Sequence, residues 1–223
     1  MISPEGYYEM ELKGKSAEEI AKKIRGLKNE IGHLKKAIEV QHYGSKTGFY
    51  PDMRTQLWSA RLYLERAVAA YEETGETYQP SKAEQRAATF DEAIPTITRI
   101  TVTLGGHFDG FETHTITLTD DHLRLDVEHS MYPKPSNFYI EPDYLLTKEE
   151  FLDGLRDLHI GEWRRHYNSV DYGWYILDGT SWTLTIEYAD GRKIEREGSN
   201  AFPYNFDRLC ELVGYEEKPE DKE

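Results

Sequence analysis

The sequence has a single cysteine among its 223 residues, Cys210, so no disulfide can form within the chain. A chain without disulfides suits a reducing compartment. No apolar run approaches the roughly 18 residues that a membrane-spanning helix requires. Residues 1–11 have neither the basic start nor the apolar core of a signal peptide. These absences predict a soluble, cytoplasmic protein that has no membrane partner.

Common catalytic and metal-binding motifs are missing as well. There is no cysteine pair and no His-Glu-x-x-His segment, so the familiar zinc motifs are excluded. Ser199 does not lie in a Gly-x-Ser-x-Gly turn, and Gly105-Gly106 lacks the lysine and following helix of a phosphate-binding loop. Cys210 falls at a core position of a predicted helix, where cysteine is usually inert. We therefore predict no catalytic residue, no metal ligand and no cofactor.

Basic residues are outnumbered, with 27 Lys and Arg against 41 Asp and Glu, and the net charge is −14. The excess is uneven, because residues 1–90 sum to +1 and residues 91–223 sum to −15. Within the first part, residues 22–66 sum to +6. This asymmetry predicts a mildly basic helical part and an acidic body that would favour a protein partner with a basic surface.

Two heptad patterns occupy the first third of the chain. The first consists of Ile20, Ile24, Leu27, Ile31, Leu34 and Ile38. The second consists of Met53, Leu57, Ala60, Leu64, Ala67 and Tyr71. Two matched apolar stripes with a short connection predict an antiparallel helical hairpin over residues 12–78. The stripes can bury each other, and a second interpretation is that they also form a homodimer interface.

Period-2 alternation then predicts a sheet in residues 79–214. Three alternating runs between residues 100 and 127 predict an antiparallel meander, and Trp182–Tyr188 predicts a further strand. Asp190-Gly191 predicts a tight hairpin turn, and the charged return over residues 192–197 is predicted to be an edge strand. Residues 172–177 are predicted to form one more short strand.

Helix signals surround these strands. Capping boxes at Ser81 and Thr147 predict helix starts, and Asn205 is predicted to cap the last helix. The predicted fold class is α+β, with an N-terminal antiparallel helical hairpin followed by an antiparallel β-sheet that has helices packed on one face. Residues 215–223 are predicted to be a charged tail.

The C-terminal third carries a resemblance. Its pattern comprises Asp178-Gly179-Thr180-Ser181-Trp182-Thr183-Leu184, Gly198-Ser199-Asn200-Ala201-Phe202-Pro203 and Asn205-Phe206. This pattern resembles an uncharacterised protein family of clostridial-type bacteria and their mobile elements. Trp163-Arg164-Arg165-His166-Tyr167 is similar to the segment that precedes it in that family. The resemblance implies a prokaryotic, intracellular module, and it implies no activity.

Histidines recur through the predicted meander, at His107, His114, His122 and His129. Alternation puts His114 and His129 on the apolar face and His122 on the opposite one, so the four cannot converge on one ion. His114 and His129 with a neighbouring carboxylate would suit a small metal-assisted hydrolase. That enzyme is one alternative function, and a structural homodimer through the helical hairpin is the other.

The function expected from these features is binding rather than catalysis. The candidate binding residues are Asp120, Asp121, Tyr139, Glu141, Asp143, Trp163 and Trp174. They suit a non-catalytic acidic binding protein that acts through protein–protein contacts, such as an inhibitor of a nucleic-acid-handling enzyme of anti-CRISPR or anti-defence type. Direct nucleic-acid binding by the basic hairpin or by Arg164-Arg165 is the weaker expectation, because the net charge repels a polyanion.

Overall fold

The computed structural model describes residues 2–41, 51–106, 110–120, 122–130, 146–176 and 178–215. The chain forms two compact units, Met1–Pro80 and Ser81–Glu223. Helices come first and a six-stranded, mostly antiparallel sheet follows, so the predicted α+β class is confirmed. Within the described ranges, no helix is both long and apolar enough to cross a bilayer.

The first unit is built on two long helices. Its elements are α1 (Pro4–Tyr7), a π-helical turn (Tyr8–Leu12), α2 (Ala17–Gln41) and α3 (Met53–Glu73). The buried cluster joins the start of α2 to the end of α3, since Ile20 and Ile24 share it with Ala67 and Ala70. The two helices are therefore antiparallel, as the matched heptads predict.

The N-terminal segment extends this unit beyond the predicted start at residue 12. Leu12 is fully buried in the same cluster. Tyr7 stacks on Tyr63 of α3 with ring centroids 4.5 Å apart, and this burial raises the pKa of Tyr7. The hydroxyl of Tyr63 donates to the carbonyl oxygen of Ile2 at 2.8 Å. These contacts make the segment before α2 part of the packed unit.

In its described residues, the second unit is a sheet with three α-helices. Its helices are α4 (Lys82–Ala93), α5 (Lys148–Asp157) and α6 (Phe206–Leu212), with short 3₁₀ turns at Ile94–Thr96, Ile160–Glu162 and Ser169–Tyr172. Its strands are β1 (Ile97–Gly106), β2 (Gly110–Leu118), β3 (Leu123–His129), β4 (His166–Asn168), β5 (Thr180–Tyr188) and β6 (Lys193–Ser199). The strand order is β3-β2-β1-β5-β6-β4, and among these described strands the β4–β6 pair alone is parallel.

One face of this sheet is buried beneath helices. Val102 of β1 and Ile186 of β5 are completely buried there. Helix α6 lies against this face, because its Phe206 contacts the ring of Trp182 at 4.7 Å. Helix α5 packs on α6, where a Cβ on Gly154 would lie only 2.7 Å from the side chain of Leu212. The core of the second unit therefore lies between the sheet and its helices.

The strand predicted at residues 172–177 is wrong. Tyr172 ends a 3₁₀ turn, and Gly173 then reverses the chain at φ 82°. The strand instead comes earlier, as β4, which pairs with β6 and covers the edge that β6 was predicted to present. A strand of three residues is too short to show alternation, so the sequence pattern does not reveal it.

Asn205 does not cap α6, because its side chain makes no capping bond. Its side-chain oxygen instead accepts from the indole N–H of Trp163 at 3.1 Å, and its amide donates to the carbonyl oxygen of Leu158 at 2.8 Å. Trp163 is only 5% exposed. This predicted binding residue therefore belongs to the core rather than to a contact surface.

The residues that carry the resemblance form a buried corner around Trp182. Its ring is 1% exposed and lies against Trp163, Tyr167 and Phe206. Its indole N–H donates to the carbonyl oxygen of Ala201 at 2.7 Å.

Asn200 closes the same corner with a positive φ of 52°. Its side-chain oxygen accepts from the backbone N–H of Thr180 at 2.7 Å, and its own N–H donates to the carbonyl oxygen of Thr180 at 2.8 Å. A Cβ on Gly179 would overlap the Asn200 carboxamide, so glycine is required there. The residues of the C-terminal pattern therefore have a structural role in this chain, because they pack around Trp182.

The capping box of α5 contributes to acid sensitivity. Bonds to Glu150 from the backbone N–H of Thr147, and then from its hydroxyl, lower the pKa of Glu150 below its reference value of 4.5. A carboxyl of this kind stabilises the fold above its unfolded-state pKa, and the contribution is lost as pH falls through the folded value.

We expect the unfolding free energy to fall below about pH 4.5 more steeply in the wild type than in Glu150→Gln. The glutamine oxygen can still accept both bonds, but it does not titrate. Denaturant titrations of both proteins between about pH 6 and pH 3 make the comparison. Identical pH slopes would contradict the assignment.

Candidate binding surfaces

The face of the sheet opposite the helices carries a lattice of threonines. They are Thr101, Thr103, Thr113, Thr115, Thr117, Thr183 and Thr185, and all are partly or fully exposed. Strand register aligns Thr113, Thr103 and Thr183 in one row and Thr115, Thr101 and Thr185 in the next. The hydroxyls of Thr103 and Thr113 are 2.9 Å apart. The centre of this face is therefore uncharged and rich in hydroxyl groups that both donate and accept.

Carboxylates border the lattice on both sides. On β3, Glu128 and Asp126 continue the two threonine rows, and on β6 Glu197 and Glu195 continue them in the other direction. Asp126 pairs with Arg124 at 2.8 Å, and Glu197 contacts the Nδ1 of His166 at 2.8 Å. Within the described residues, Glu128 and Glu195 have no ion-pair partner. We name the threonines and these four carboxylates the threonine face.

The next row along the strands carries a net positive charge, because Arg124, Arg99 and Lys193 outnumber Glu187. It places Arg99 beside Glu187, which accepts from Lys193 at 2.7 Å. That bond, together with the positive charges of Lys193 and Arg99, lowers the pKa of Glu187. The uncompensated negative charge of the threonine face therefore lies beside the two threonine rows.

A second exposed feature precedes β5. Trp174, Tyr175 and Ile176 are 48%, 86% and 39% exposed, and nearby Val170 is 47% exposed. Four large apolar side chains within seven residues are costly to leave in water. We call residues 170–176 the aromatic segment. It contains Trp174, a predicted binding residue, which is exposed.

The remaining predicted site residues divide into two groups. Asp120 is exposed immediately after β2. Asp121, Tyr139, Glu141 and Asp143 lie outside the described residues. Of the acidic candidates, the structure therefore describes Asp120.

Sequence reasoning missed Glu128 and Glu195. Alternation of threonine with apolar residues was visible within each strand. The order of the strands, which sets Glu128 and Glu195 on opposite sides of the same lattice, depends on long-range pairing.

His114 and His129 meet at one carboxylate, that of Glu112. His114 is completely buried, and its Nε2 lies 2.6 Å from a carboxylate oxygen of Glu112. The Nδ1 of His129 lies 3.3 Å from the other oxygen. The prediction that His114 and His129 share one face is confirmed by their common contact with Glu112. His122, just before β3, is exposed, and His107 lies outside the described residues.

Protein bonds already occupy most of this cluster. The Nδ1 of His114 lies 2.8 Å from the carbonyl oxygen of Val213, which can only accept, so Nδ1 carries a proton. The Nε2 of His114 is likewise engaged, by the carboxylate of Glu112 at 2.6 Å. Neither ring nitrogen of His114 is therefore free to bind a metal ion.

Tyr215 completes the cluster. Its ring stacks on His114 with centroids 3.7 Å apart, and its hydroxyl is shared between the carbonyl oxygens of Glu112 at 2.6 Å and Val102 at 3.1 Å. Burial raises the pKa of Tyr215 well above its usual range, and the charge of Glu112 adds to the effect. Tyr215, which was predicted to begin the tail, thus belongs to the packed unit.

Across the described residues, no group of three or more His, Cys, Asp or Glu side chains is arranged to hold a metal ion. The Nε2 of His129 is buried without a hydrogen-bond partner. One such nitrogen beside an engaged carboxylate does not provide the several free ligands that a catalytic metal needs. The cluster is best described as a buried polar network that joins β2, β3 and the end of α6.

The first unit has a groove of about 740 Å³ beside the stacked tyrosines Tyr7 and Tyr63. Lys15 and Lys22 line it and have no ion-pair partner in the described part of the chain. Glu19 also lines it, but its carboxylate accepts from Ser16 at the start of α2. The groove therefore presents some of the basic charge expected of the hairpin.

Comparison with known proteins identified no relative of this chain. No protein-family model matches the chain, and neither a curated protein nor a solved structure matches it. Function is therefore inferred from the geometry of the described residues.

Proposed function

We propose that this chain is a non-catalytic binding protein that contacts a basic surface of another protein through its threonine face. The observation that carries the proposal is the pair of unpaired carboxylates, Glu128 and Glu195, on opposite sides of an uncharged lattice. Residues 1–80 contain twelve basic and twelve acidic residues, so residues 81–223 contain 15 basic and 29 acidic residues. The whole net charge of −14 therefore belongs to the unit that carries this face.

The layout of the face favours a basic protein as its occupant. Interface centres are depleted of charged residues, whereas the rim is polar and exposed. Threonine hydroxyls can bond to a partner without burying a charge, which limits the desolvation penalty. Carboxylates at the border attract a basic surface and speed its association.

The finer part of the proposal is that the partner is an enzyme that handles nucleic acid. The groove of such an enzyme holds Lys and Arg side chains that neutralise phosphates. Carboxylates placed across that groove would compete with the nucleic acid. The resemblance of the C-terminal pattern to proteins of mobile elements supports an inhibitor of anti-CRISPR or anti-defence type.

The aromatic segment supplies an apolar anchor for the same kind of contact. Trp and Tyr are enriched among residues that dominate binding energy, because they bury a large area at a small entropic cost. Trp174 and Tyr175 are already largely exposed, so binding would bury apolar surface that folding leaves in water.

A charge-swap experiment tests the threonine face. Glu128→Lys/Glu195→Lys should bind the partner about tenfold to a hundredfold more weakly than the wild type, because attraction becomes repulsion at both borders. Glu92→Lys/Glu211→Lys is the matched control, since both glutamates are exposed on helices and the change in net charge is the same.

The measurement is capture by the immobilised full-length protein from a clostridial-type lysate at about 0.1 M and 0.5 M salt, followed by titration of the purified partner. The proposal predicts that the wild type and the control variant retain a basic protein at low salt and release it at high salt. The swap variant should fail to retain that protein even at low salt. Equal binding by the swap variant and the wild type would refute it.

The finer proposal has its own test. The purified partner should lose nucleic-acid binding or cleavage when this protein is added, and the swap variant should inhibit less. If the partner binds this protein and nucleic acid at the same time, the protein is a binding protein but not an inhibitor.

A further inference from the structure

Besides Arg208 in α6, three arginines of the acidic second unit have no ion-pair partner among the described residues. They are Arg86 in α4, Arg165 just before β4 and Arg196 in β6. Arg86 and Arg165 are exposed, and Arg196 is partly buried. Since this unit holds 29 acidic residues against 15 basic ones, three arginines without a carboxylate need an explanation.

Arg196 is the least satisfied of the three. Its Nη1 donates to the carbonyl oxygen of Glu195 at 2.8 Å, but its Nε is buried and has no hydrogen-bond partner. A buried donor without an acceptor destabilises the fold. Burial lowers the pKa of Arg196, and the positive charges of Arg165 and Arg86 lower it further against the opposing effect of two tyrosines, Tyr167 and Tyr188.

The fold brings the backbone segments that carry the three arginines close together. The carbonyl oxygen of Arg165 accepts from the backbone N–H of Glu197, next to Arg196, at 3.1 Å. Helix α4 packs on the turn before Arg165, where a Cβ on Gly161 would lie 2.7 Å from the Cα of Ala87. The backbone therefore fixes like charges near one another, although they repel.

We propose that Arg86, Arg165 and Arg196 form a binding site for a phosphate-class oxyanion. Guanidinium groups offer several N–H donors in a planar fork that matches phosphate oxygens. An oxyanion at this site would accept from the unpartnered Nε of Arg196. It would also offset the repulsion among three positive charges that no carboxylate neutralises.

This site is independent of the threonine face. Arg196 lies opposite Leu184, on the side of the sheet that faces the core, whereas Glu195 and Glu197 point to the other side. The two sites also prefer opposite charges, so the failure of one leaves the other untouched.

Isothermal titration calorimetry of the full-length protein in a phosphate-free, low-chloride buffer tests the site, with inorganic phosphate and AMP as separate probes. We expect saturable binding of at least one probe. Arg86→Gln and Arg165→Gln should each weaken it about tenfold, because each removes charge-assisted bonds from an exposed side chain. Arg196→Lys, which keeps the charge but loses the planar fork, should also weaken binding.

Arg208→Gln is the matched control, because Arg208 is an exposed arginine of α6 in the same unit and also has no ion pair among the described residues. It should bind like the wild type. Equal affinity for the two probes would show that the oxyanion alone is recognised, and tighter binding of AMP would identify a phosphate monoester as the ligand. No saturable binding of either probe, or an equal loss in Arg208→Gln, would overturn the proposal.

Discussion

Replacing Gly198 with alanine is expected to lower the unfolding free energy of the second unit by about 3–5 kcal/mol. Gly198 of β6 lies directly opposite Trp182 of β5. A Cβ at this position would lie 2.6 Å from Cε2 of the Trp182 ring and would overlap the indole nitrogen and the carbonyl oxygen of Ala201. Those two atoms form the hydrogen bond that anchors the indole. One methyl group therefore collides with the core and breaks a buried bond.

The measurement is denaturant unfolding followed by tryptophan fluorescence. Gly26→Ala is the control, because nothing lies within 4 Å of a Cβ at that position in α2. It should leave stability unchanged or raise it by about 0.5–1 kcal/mol through the better helix propensity of alanine. In a Trp182→Leu background the added cost of Gly198→Ala should shrink, since the ring that it strikes is gone. A loss below about 1 kcal/mol in the single variant would show that the corner can relax.

His114→Ala is expected to cost the second unit about 3–5 kcal/mol. The change empties a fully buried site, leaves the carbonyl oxygen of Val213 without its donor and exposes Glu112 to an apolar cavity. It also removes the ring on which Tyr215 stacks. Several penalties thus act at one position.

Two further variants separate these causes. Glu112→Gln should cost much less, because the glutamine amide can donate to Nε2 while Nδ1 still donates to Val213. His122→Ala, at an exposed histidine near the start of β3, should cost about 1 kcal/mol or less. If His114→Ala were as mild as His122→Ala, the network would have no structural role.

Local patterns predicted the elements that depend on near neighbours. The heptads of α2 and α3 and the alternation in β1, β2, β3 and β5 are properties of single segments, so the sequence reveals them. Capping boxes at Ser81 and Thr147 are confirmed for the same reason, since each closes within one turn. The face on which His114 lies also follows from alternation within one strand.

Elements fixed by distant partners could not be found in this way. Strand β4 exists because β6 lies beside it, and Trp163 is buried because Asn205, far along the chain, accepts its N–H. Tyr215 looked like the start of a charged tail, yet its hydroxyl bonds to β1 and β2. No window of sequence contains both members of such pairs.

The candidate sites depend on distant partners to an even greater degree. The threonine rows are recognisable within strands, but their carboxylate borders come from β3 and β6 through the register of five strands. Arg86, Arg165 and Arg196 come from three separate segments. What the sequence did show is the excess of negative charge, which makes unpaired arginines noteworthy.

The pairing of β1 with β5 has a consequence for how the protein is made. Ile100 at the centre of the sheet pairs with Ile186, so the middle of the sheet closes only after the long segment between them has been synthesised. The meander of β1, β2 and β3 can assemble earlier from local contacts. The edge of β1 that pairs with β5 then stays unpaired until β5 is made. Closing that long loop costs conformational entropy, and until it closes the free edge of β1 has backbone groups that could pair with another chain.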